Sequence, residues 1–219
     1  MAGEFVGMRP EEFVMRYREA RASAILRTNV ADAVAPAMEA AIRAGFRVIE
    51  FTLNTPNALQ HIEEFSARES LVVGAGTVLT AADARTAVDA GARFIVSPVV
   101  DEAVIEEAAK LGVAAMPGTH TPTEMQRAWA AGAQLQKLFP GPAGGASYVK
   151  ACLGPLPHLK IVPTSGVDAD NAADFLEAGA WAIGFVAPLF APEDMAEGRF
   201  DRIEERARRL LGAVDRTGA

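Results

Sequence analysis

Two hydrophobic rhythms alternate along the chain. Short apolar runs recur at 23–27, 47–52, 71–75, 93–97, 113–116, 134–139, 159–164 and 181–186. Between them lie longer, often alanine-rich stretches with helical spacing, near 31–44, 56–67, 81–90, 101–111, 122–131, 145–153, 169–178 and 193–212. One more stretch of the second kind, near 10–21, precedes the first run. The short runs predict strands and the longer stretches predict amphipathic helices.

Four junctions between the two rhythms read alike: Ala44-Gly45-Phe46, Ala90-Gly91-Ala92, Ala131-Gly132-Ala133 and Ala178-Gly179-Ala180. A glycine just past a helix closes the last turn in a backbone conformation that other residues resist, and the chain then enters a strand. Strict strand–helix alternation specifies a parallel sheet covered by helices. Eight such units in 219 residues predict one α/β domain over 1–219, a (β/α)8 TIM barrel with an extra N-terminal helix. Residues 1–8 are expected to stand outside the folded unit, with Met8 as the native start. An open doubly wound sheet is the competing architecture. It usually carries a glycine-rich turn after its first strand, and Thr28-Asn29 has no glycine.

Composition narrows the class. Half the residues are apolar, which excludes a disordered chain. A net charge of −7 argues against nucleic acid or an anionic membrane as partner. Cys152 stands alone in a helical pattern and reads as a small buried hydrophobe in a reducing compartment. His61, His120 and His158 are scattered without metal-ligand spacing, so no metal or other cofactor is expected. No apolar run approaches the length of a membrane span, and the start lacks the pattern of a secretory signal. A cytoplasmic protein is expected.

A barrel gathers its functional side chains where the strands end. Lys137, one of four lysines in the chain, falls inside a predicted strand on the same face as Leu135 and Phe139. Glu50 has a similar position in the second strand, sharing a face with Val48 and Thr52. Desolvated charges are costly unless paired or functional. Burial lowers the pKa of an amine, and a neutral amine can attack a ketone to form a Schiff base, with a carboxylate relaying protons. A purely structural Lys–Glu pair is the alternative. Arg27 ends the first strand and suits bidentate carboxylate binding or a surface salt bridge. Thr77, with the Gly74-Ala75-Gly76 turn, offers a hydroxyl and backbone N–H groups to an anion. The turn Thr164-Ser165-Gly166 lies where barrels often hold phosphate. His120 reads as a solvated loop histidine, and Trp129 and Trp181 as packing residues.

The segments Ile49-Glu50-Phe51-Thr52-Leu53-Asn54-Thr55-Pro56, Gly74-Ala75-Gly76-Thr77-Val78, Ile95-Val96-Ser97-Pro98, Met116-Pro117-Gly118, Leu135-Gln136-Lys137-Leu138-Phe139-Pro140 and Pro163-Thr164-Ser165-Gly166-Val167 follow one another at natural spacings. Together they resemble the 2-keto-3-deoxy-6-phosphogluconate / 4-hydroxy-2-oxoglutarate aldolase family. The resemblance implies a trimeric barrel and a class I, metal-independent lyase that forms pyruvate and an aldehyde. It implies that Lys137 is the Schiff-base lysine and Glu50 the general acid/base. Thr77 matches a threonine near the pyruvate carboxylate, and Pro98 and Phe139 match residues lining the nucleophile pocket. Ala24-Ile25-Leu26-Arg27 and Leu53-Asn54 resemble the 2-keto-3-deoxy-6-phosphogalactonate branch, in which Arg27 takes over the carboxylate. Thr164, Ser165 and Gly166 fall at the family's phosphate end. Family members usually read Thr-Gly-Gly or Gly-Gly there, and Gly-Ser after strand eight. This chain has Thr164-Ser165-Gly166 and Val186-Ala187. The departure predicts a weaker preference for a 6-phosphate and admits an unphosphorylated 2-keto-4-hydroxy acid. A sugar-phosphate isomerase or epimerase and a non-catalytic binding barrel are the readings from other classes.

Overall fold

The computed structural model describes residues 8–216, so the expectation for residues 1–8 falls, apart from Met8, outside the described residues. Helix α1 (Pro10–Ala20) comes first, followed by β1 (Ala22–Leu26), a short 3-10 turn, α2 (Val34–Ala44), β2 (Val48–Thr52) and α3 (Ala58–Ser66). The chain continues through β3 (Val72–Gly76), α4 (Ala81–Asp89), β4 (Phe94–Ser97), α5 (Glu102–Lys110) and β5 (Ala114–Thr119). Next come α6 (Pro122–Ala130), β6 (Gln136–Leu138), α7 (Ala146–Leu153), β7 (Ile161–Pro163) and α8 (Ala172–Glu177). The last elements are β8 (Ile183–Phe185), α9 (Pro192–Ala196) and α10 (Phe200–Asp215).

The strands pair in the order β7-β6-β5-β4-β3-β2-β1-β8, and each registered pair is parallel. The two ends of that order meet at a single parallel bridge between Thr164 and Gly184. The fold is therefore the (β/α)8 barrel that the alternation predicts. Gly45, Gly91, Gly132 and Gly179 all have positive φ, as their place past the helix ends requires. Thr80 with Asp83, and Thr121 with Glu124, form reciprocal capping boxes at the starts of α4 and α6.

The larger departures from the sequence-based expectation lie in β5, in β6 to β8 and in the last helix. Strand β5 continues through Pro117 to Thr119, although proline removes a ladder donor; Pro117 still holds register opposite Ser97. Strands β6, β7 and β8 are three residues each, shorter than the apolar runs that contain them, although interstrand bonds such as Thr164 N–H to the Leu138 carbonyl extend past their ends. The expected helix over 193–212 is two helices. Gly198, at φ 67°, breaks it, and the carbonyl of Asp194 accepts the Arg199 N–H.

Two cores result from the two faces of each strand. Outward residues such as Ile49, Phe51, Val73, Ile95, Ile183 and Phe185 pack against the helices. Inward residues Val48, Val72, Phe94, Val96, Met116, Leu135 and Val162 fill the barrel. Helix α1 adds Phe13, Val14 and Tyr17 to that inner cluster, with Phe13 stacked 4.4 Å from Phe94. The inner apolar layers end where Glu50 and Lys137 point inward, so the polar site sits above a packed floor.

Candidate active site

Alternation along β1 turns Ser23, Ile25 and Arg27 inward; along β2 it does the same for Val48, Glu50 and Thr52. Register places Glu50 beside Ile25 on one side and Gly74 on the other. Above this level a small cavity is lined by Ile25, Arg27, Thr52, Thr77, Pro98, Lys137, Phe139, Thr164 and Val186. Its open space of about 40 Å³ suits a few non-hydrogen atoms.

Hydrogen bonds around the rim hold these side chains in place. Thr119 donates its hydroxyl to the Lys137 carbonyl at 2.9 Å, and the Phe139 N–H donates to the Thr119 carbonyl at 3.0 Å. Lys137 is thus fixed by β5 on one side and by the β7 ladder on the other. Its Nζ lies 5.1 Å from the centre of the Phe139 ring, within cation–π range. The Val78 N–H donates to the Val96 carbonyl at 3.1 Å and anchors the turn that carries Thr77. Thr77 has φ 57°, a conformation that a β-branched residue adopts only under constraint. Ser97 donates to the Val99 carbonyl at 2.9 Å and shapes the turn at Pro98. The hydroxyls of Thr52 and Thr55 are 3.0 Å apart beneath the turn that follows Arg27.

Glu50 is fully buried, and neither of its carboxylate oxygens has a hydrogen-bond partner within the protein. The space that it occupies exists because residue 76 is glycine: a Cβ there would collide with the Glu50 carboxylate. Gly74, one step below, makes room in the same way for the Phe94 ring. Burial pushes the Glu50 carboxyl above its ordinary range, and the charges of Lys137 and Arg27 oppose the shift. Burial likewise pushes the Lys137 amine below its ordinary value; Glu50 opposes this and Arg27 adds to it. Both groups are therefore moved toward neutral forms, the amine to a free nucleophile and the carboxyl to a proton donor.

Of the residues singled out from sequence, Arg27, Thr77, Pro98, Lys137, Phe139 and Thr164 line one cavity, with Glu50 buried at the same end of the barrel. Ser165 and Gly166 follow Thr164 in the loop after β7, both with positive φ. Asn54 is exposed on the turn after β2 and does not line the cavity. His120 is exposed, with Nδ1 3.1 Å from the Pro140 carbonyl. Trp181 packs against α1 and donates Nε1–H to Val14, whereas Trp129 is largely exposed against His158. Cys152 is buried and free. Ile25 was not singled out from sequence, although its alternation with Arg27 on β1 carries the signal. Among the described residues, no group of three His, Cys, Asp or Glu side chains is placed to hold a metal ion.

Both the sequence and the fold resemble those of known proteins. The sequence profile of the KDPG and KHG aldolase family matches residues 14–206. A relative from Rhizobium meliloti, named a probable 2-dehydro-3-deoxy-6-phosphogalactonate aldolase, is 38% identical over 88% of this chain and 90% of its own length. A solved structure described as native KDPGal superposes with a TM-score of 0.82 at 31% identity, covering 90% of this chain and 95% of that one. The KDPG aldolase of Legionella pneumophila, solved with pyruvate captured as a covalent carbinolamine intermediate, has a TM-score of 0.80 at 26% identity, covering 90% and 97%. With the profile spanning most of the barrel, this chain belongs to the KDPG and KHG aldolase family and is a class I aldolase, a carbon–carbon lyase.

Proposed function

We propose that Lys137 and Glu50 carry out the retro-aldol cleavage of a 2-keto-4-hydroxy acid to pyruvate and an aldehyde. The candidate substrate class includes 2-keto-3-deoxy sugar acids and 4-hydroxy-2-oxoglutarate. Arg27 and Thr77 hold the carboxylate at the cavity mouth. The neutral amine of Lys137 adds to the C2 ketone; the carbinolamine hydroxyl takes the proton of the Glu50 carboxyl and leaves as water, giving a protonated imine and the Glu50 carboxylate. Glu50, as carboxylate, takes the proton from the C4 hydroxyl. The C3–C4 bond breaks, its electron pair moves into the imine to give an enamine, and the aldehyde departs. Glu50 returns the proton to C3, and water hydrolyses the protonated imine to release pyruvate and the free amine, the proton set free in this step restoring the Glu50 carboxyl. Pro98 and Phe139 shield the imine from bulk water. The observation that carries this reading is the partnerless buried carboxyl of Glu50 at the same end of the barrel as the inward Lys137 amine.

A homotrimer working in the cytoplasm completes the reading. Four large apolar side chains exposed on the loops and helix starts after β1 to β4, Val30, Leu59, Leu79 and Val99, support a contact between subunits. The test of the chemistry is borohydride reduction in the presence of pyruvate, followed by peptide mass spectrometry. A stable adduct on Lys137 is expected, and Lys137→Ala removes both the adduct and turnover. Folded enzyme that forms no adduct at saturating pyruvate overturns the covalent mechanism and favours an isomerase-type or binding role.

A further inference from the structure

We infer that His120 is a positioning residue of the aldolase reaction: it clasps the loop between β6 and α7 and so sets the turn after β7 that receives the substrate beyond C4. The inference rests on the aldolase reading above, and it leaves the pyruvate half of the site to the residues already assigned there.

The clasp consists of two hydrogen bonds to one residue. At the start of the loop the His120 ring places Nδ1 3.1 Å from the Pro140 carbonyl. A carbonyl only accepts, so Nδ1 carries the proton and donates it. At the far end the Tyr148 hydroxyl, from the first turn of α7, donates to the His120 carbonyl at 2.6 Å. The two rings lie stacked, with centres 6.1 Å apart. His120 thus holds the chain on both sides of residues 141–147. Within that stretch the Gly145 N–H donates to the Pro142 carbonyl at 2.9 Å and the Ser147 hydroxyl to the Gly144 carbonyl at 2.7 Å. Among the described residues, no hydrogen bond ties 141–145 to anything beyond the loop itself and the first turn of α7. With glycine at 141, 144 and 145 the segment has much conformational freedom to lose, so the two bonds at its ends matter. His120 is itself anchored. Its N–H donates at 2.8 Å to the Glu124 carboxylate, which completes the capping box at the start of α6.

The loop reaches the site through Gly141. A Cβ there would lie 2.4 Å from the Ser165 carbonyl oxygen, so the two backbones are in direct contact. Ser165 and Gly166 both have positive φ. Among the described residues, the N–H groups of Ser165, Gly166 and Val167 donate to no protein acceptor. These open donors follow directly on Thr164, which lines the cavity, and are available to the distal oxygens of a substrate whose ketone sits at Lys137. Their aim depends on the backbone behind them, and Pro140-Gly141 is the segment that backs it. Arg27, Glu50 and Thr77, which serve the pyruvate half, sit on or just after β1 to β3, away from the clasp.

The test separates the two halves of the reaction in the full-length enzyme. Exchange of the pyruvate methyl protons with deuterium oxide, followed by proton NMR, needs the imine, the enamine and Glu50 but no aldehyde. Cleavage of 2-keto-3-deoxy-6-phosphogluconate or of its galactonate epimer, whichever the wild type cleaves faster, needs the whole substrate. His120→Ala is expected to lower kcat/KM for cleavage about tenfold, chiefly through KM, with pyruvate exchange within about twofold of wild type. His120→Asn carries an amide N–H as many bonds from Cα as Nδ1 is, and it is expected to recover most of the loss. Unchanged kcat/KM in His120→Ala overturns the inference. So does an equal fall in exchange and cleavage, or an asparagine variant no better than the alanine one. Wild-type enzyme that exchanges no pyruvate protons refutes the aldolase mechanism instead, whatever the histidine variants do.

Discussion

Substituting alanine at Gly76 or at Gly74 separates the site from the scaffold with one methyl group. At Gly76 the new Cβ would meet the Glu50 carboxylate and lie 3.1 Å from Thr52 Cγ2. The carboxylate is the free end of a flexible side chain with no hydrogen bonds to break, and the cavity lies above it. It can therefore swing away, which places the strain cost near the low end of the overpacking range, about 1 kcal/mol. Gly→Ala at a compatible backbone position returns about 0.4–1 kcal/mol through the unfolded chain. Stability of Gly76→Ala should consequently stay within about 1 kcal/mol of wild type, or about 2–4 °C in Tm. Turnover should fall about 100-fold, as expected for a catalytic group displaced by about 1 Å. At Gly74 the added methyl would run into the Phe94 ring, which is fully buried and stacked on Phe13. No open space adjoins it, so Gly74→Ala should cost about 1–3 kcal/mol. Thermal melts and steady-state pyruvate release, with borohydride trapping as a check on Lys137, measure both effects. Wild-type kcat in Gly76→Ala would refute the placement of Glu50. A loss of stability in Gly76→Ala as large as in Gly74→Ala would refute the idea that the carboxylate is free to yield.

Three other outcomes follow from the same structure. Because burial raises the Glu50 pKa above its ordinary 4.5, the folded protein retains a proton that the unfolded chain releases. This contribution to stability is full below that ordinary value and is lost as pH rises through the raised one, so Glu50→Gln should gain stability relative to wild type from about pH 4.5 upward in urea titrations. Asp194 is buried between Arg199 and Arg206, which hold its carboxyl below the ordinary carboxylate range. Asp194→Asn should cost about 2 kcal/mol, read as a lower urea midpoint at neutral pH, because Arg206 loses its carboxylate partner and Arg199 keeps only Glu197. If the enzyme forms the proposed trimer, Leu79→Asp combined with Val99→Asp should reduce the mass seen by light scattering to that of one chain, and an unchanged mass would reject these loops as the subunit contact.

The architecture was legible because its signals are local. Helix ends marked by Gly45, Gly91, Gly132 and Gly179, and apolar runs at regular intervals, define the barrel without any long-range contact. Lys137 and Glu50 were legible for a related reason: a charge at an inward position of an otherwise apolar strand violates the pattern, and strand period assigns its face. What the pattern does not carry is backbone conformation and three-dimensional neighbourhood. The positive φ of Thr77 and of Ser165 has no signature in residue type, since glycine or asparagine would ordinarily be expected there. Gly74 and Gly76 look alike in sequence, yet one accommodates a core phenylalanine and the other a reactive carboxyl. The break between α9 and α10 depends on Gly198, in a stretch where the apolar period continues on both sides.

The closure of the barrel has a consequence for how the enzyme treats its two half-substrates. Elsewhere around the ring, neighbouring strands share at least two registered pairs, whereas β7 and β8 share the one Thr164–Gly184 bridge, with the Trp181 N–H donating to the Ile161 carbonyl below it. Proteins open first along their least cooperative line, so amide hydrogens along this seam should exchange ahead of those in β1 to β3. In the proposed mechanism Thr164 and Val186, which border the seam, would face the departing aldehyde, while the β1–β3 sector that carries Arg27, Glu50 and Thr77 would face pyruvate. One half of the substrate therefore meets a stiff template and the other a compliant wall. An enzyme built in this way holds a single nucleophile strictly and accepts a range of electrophiles.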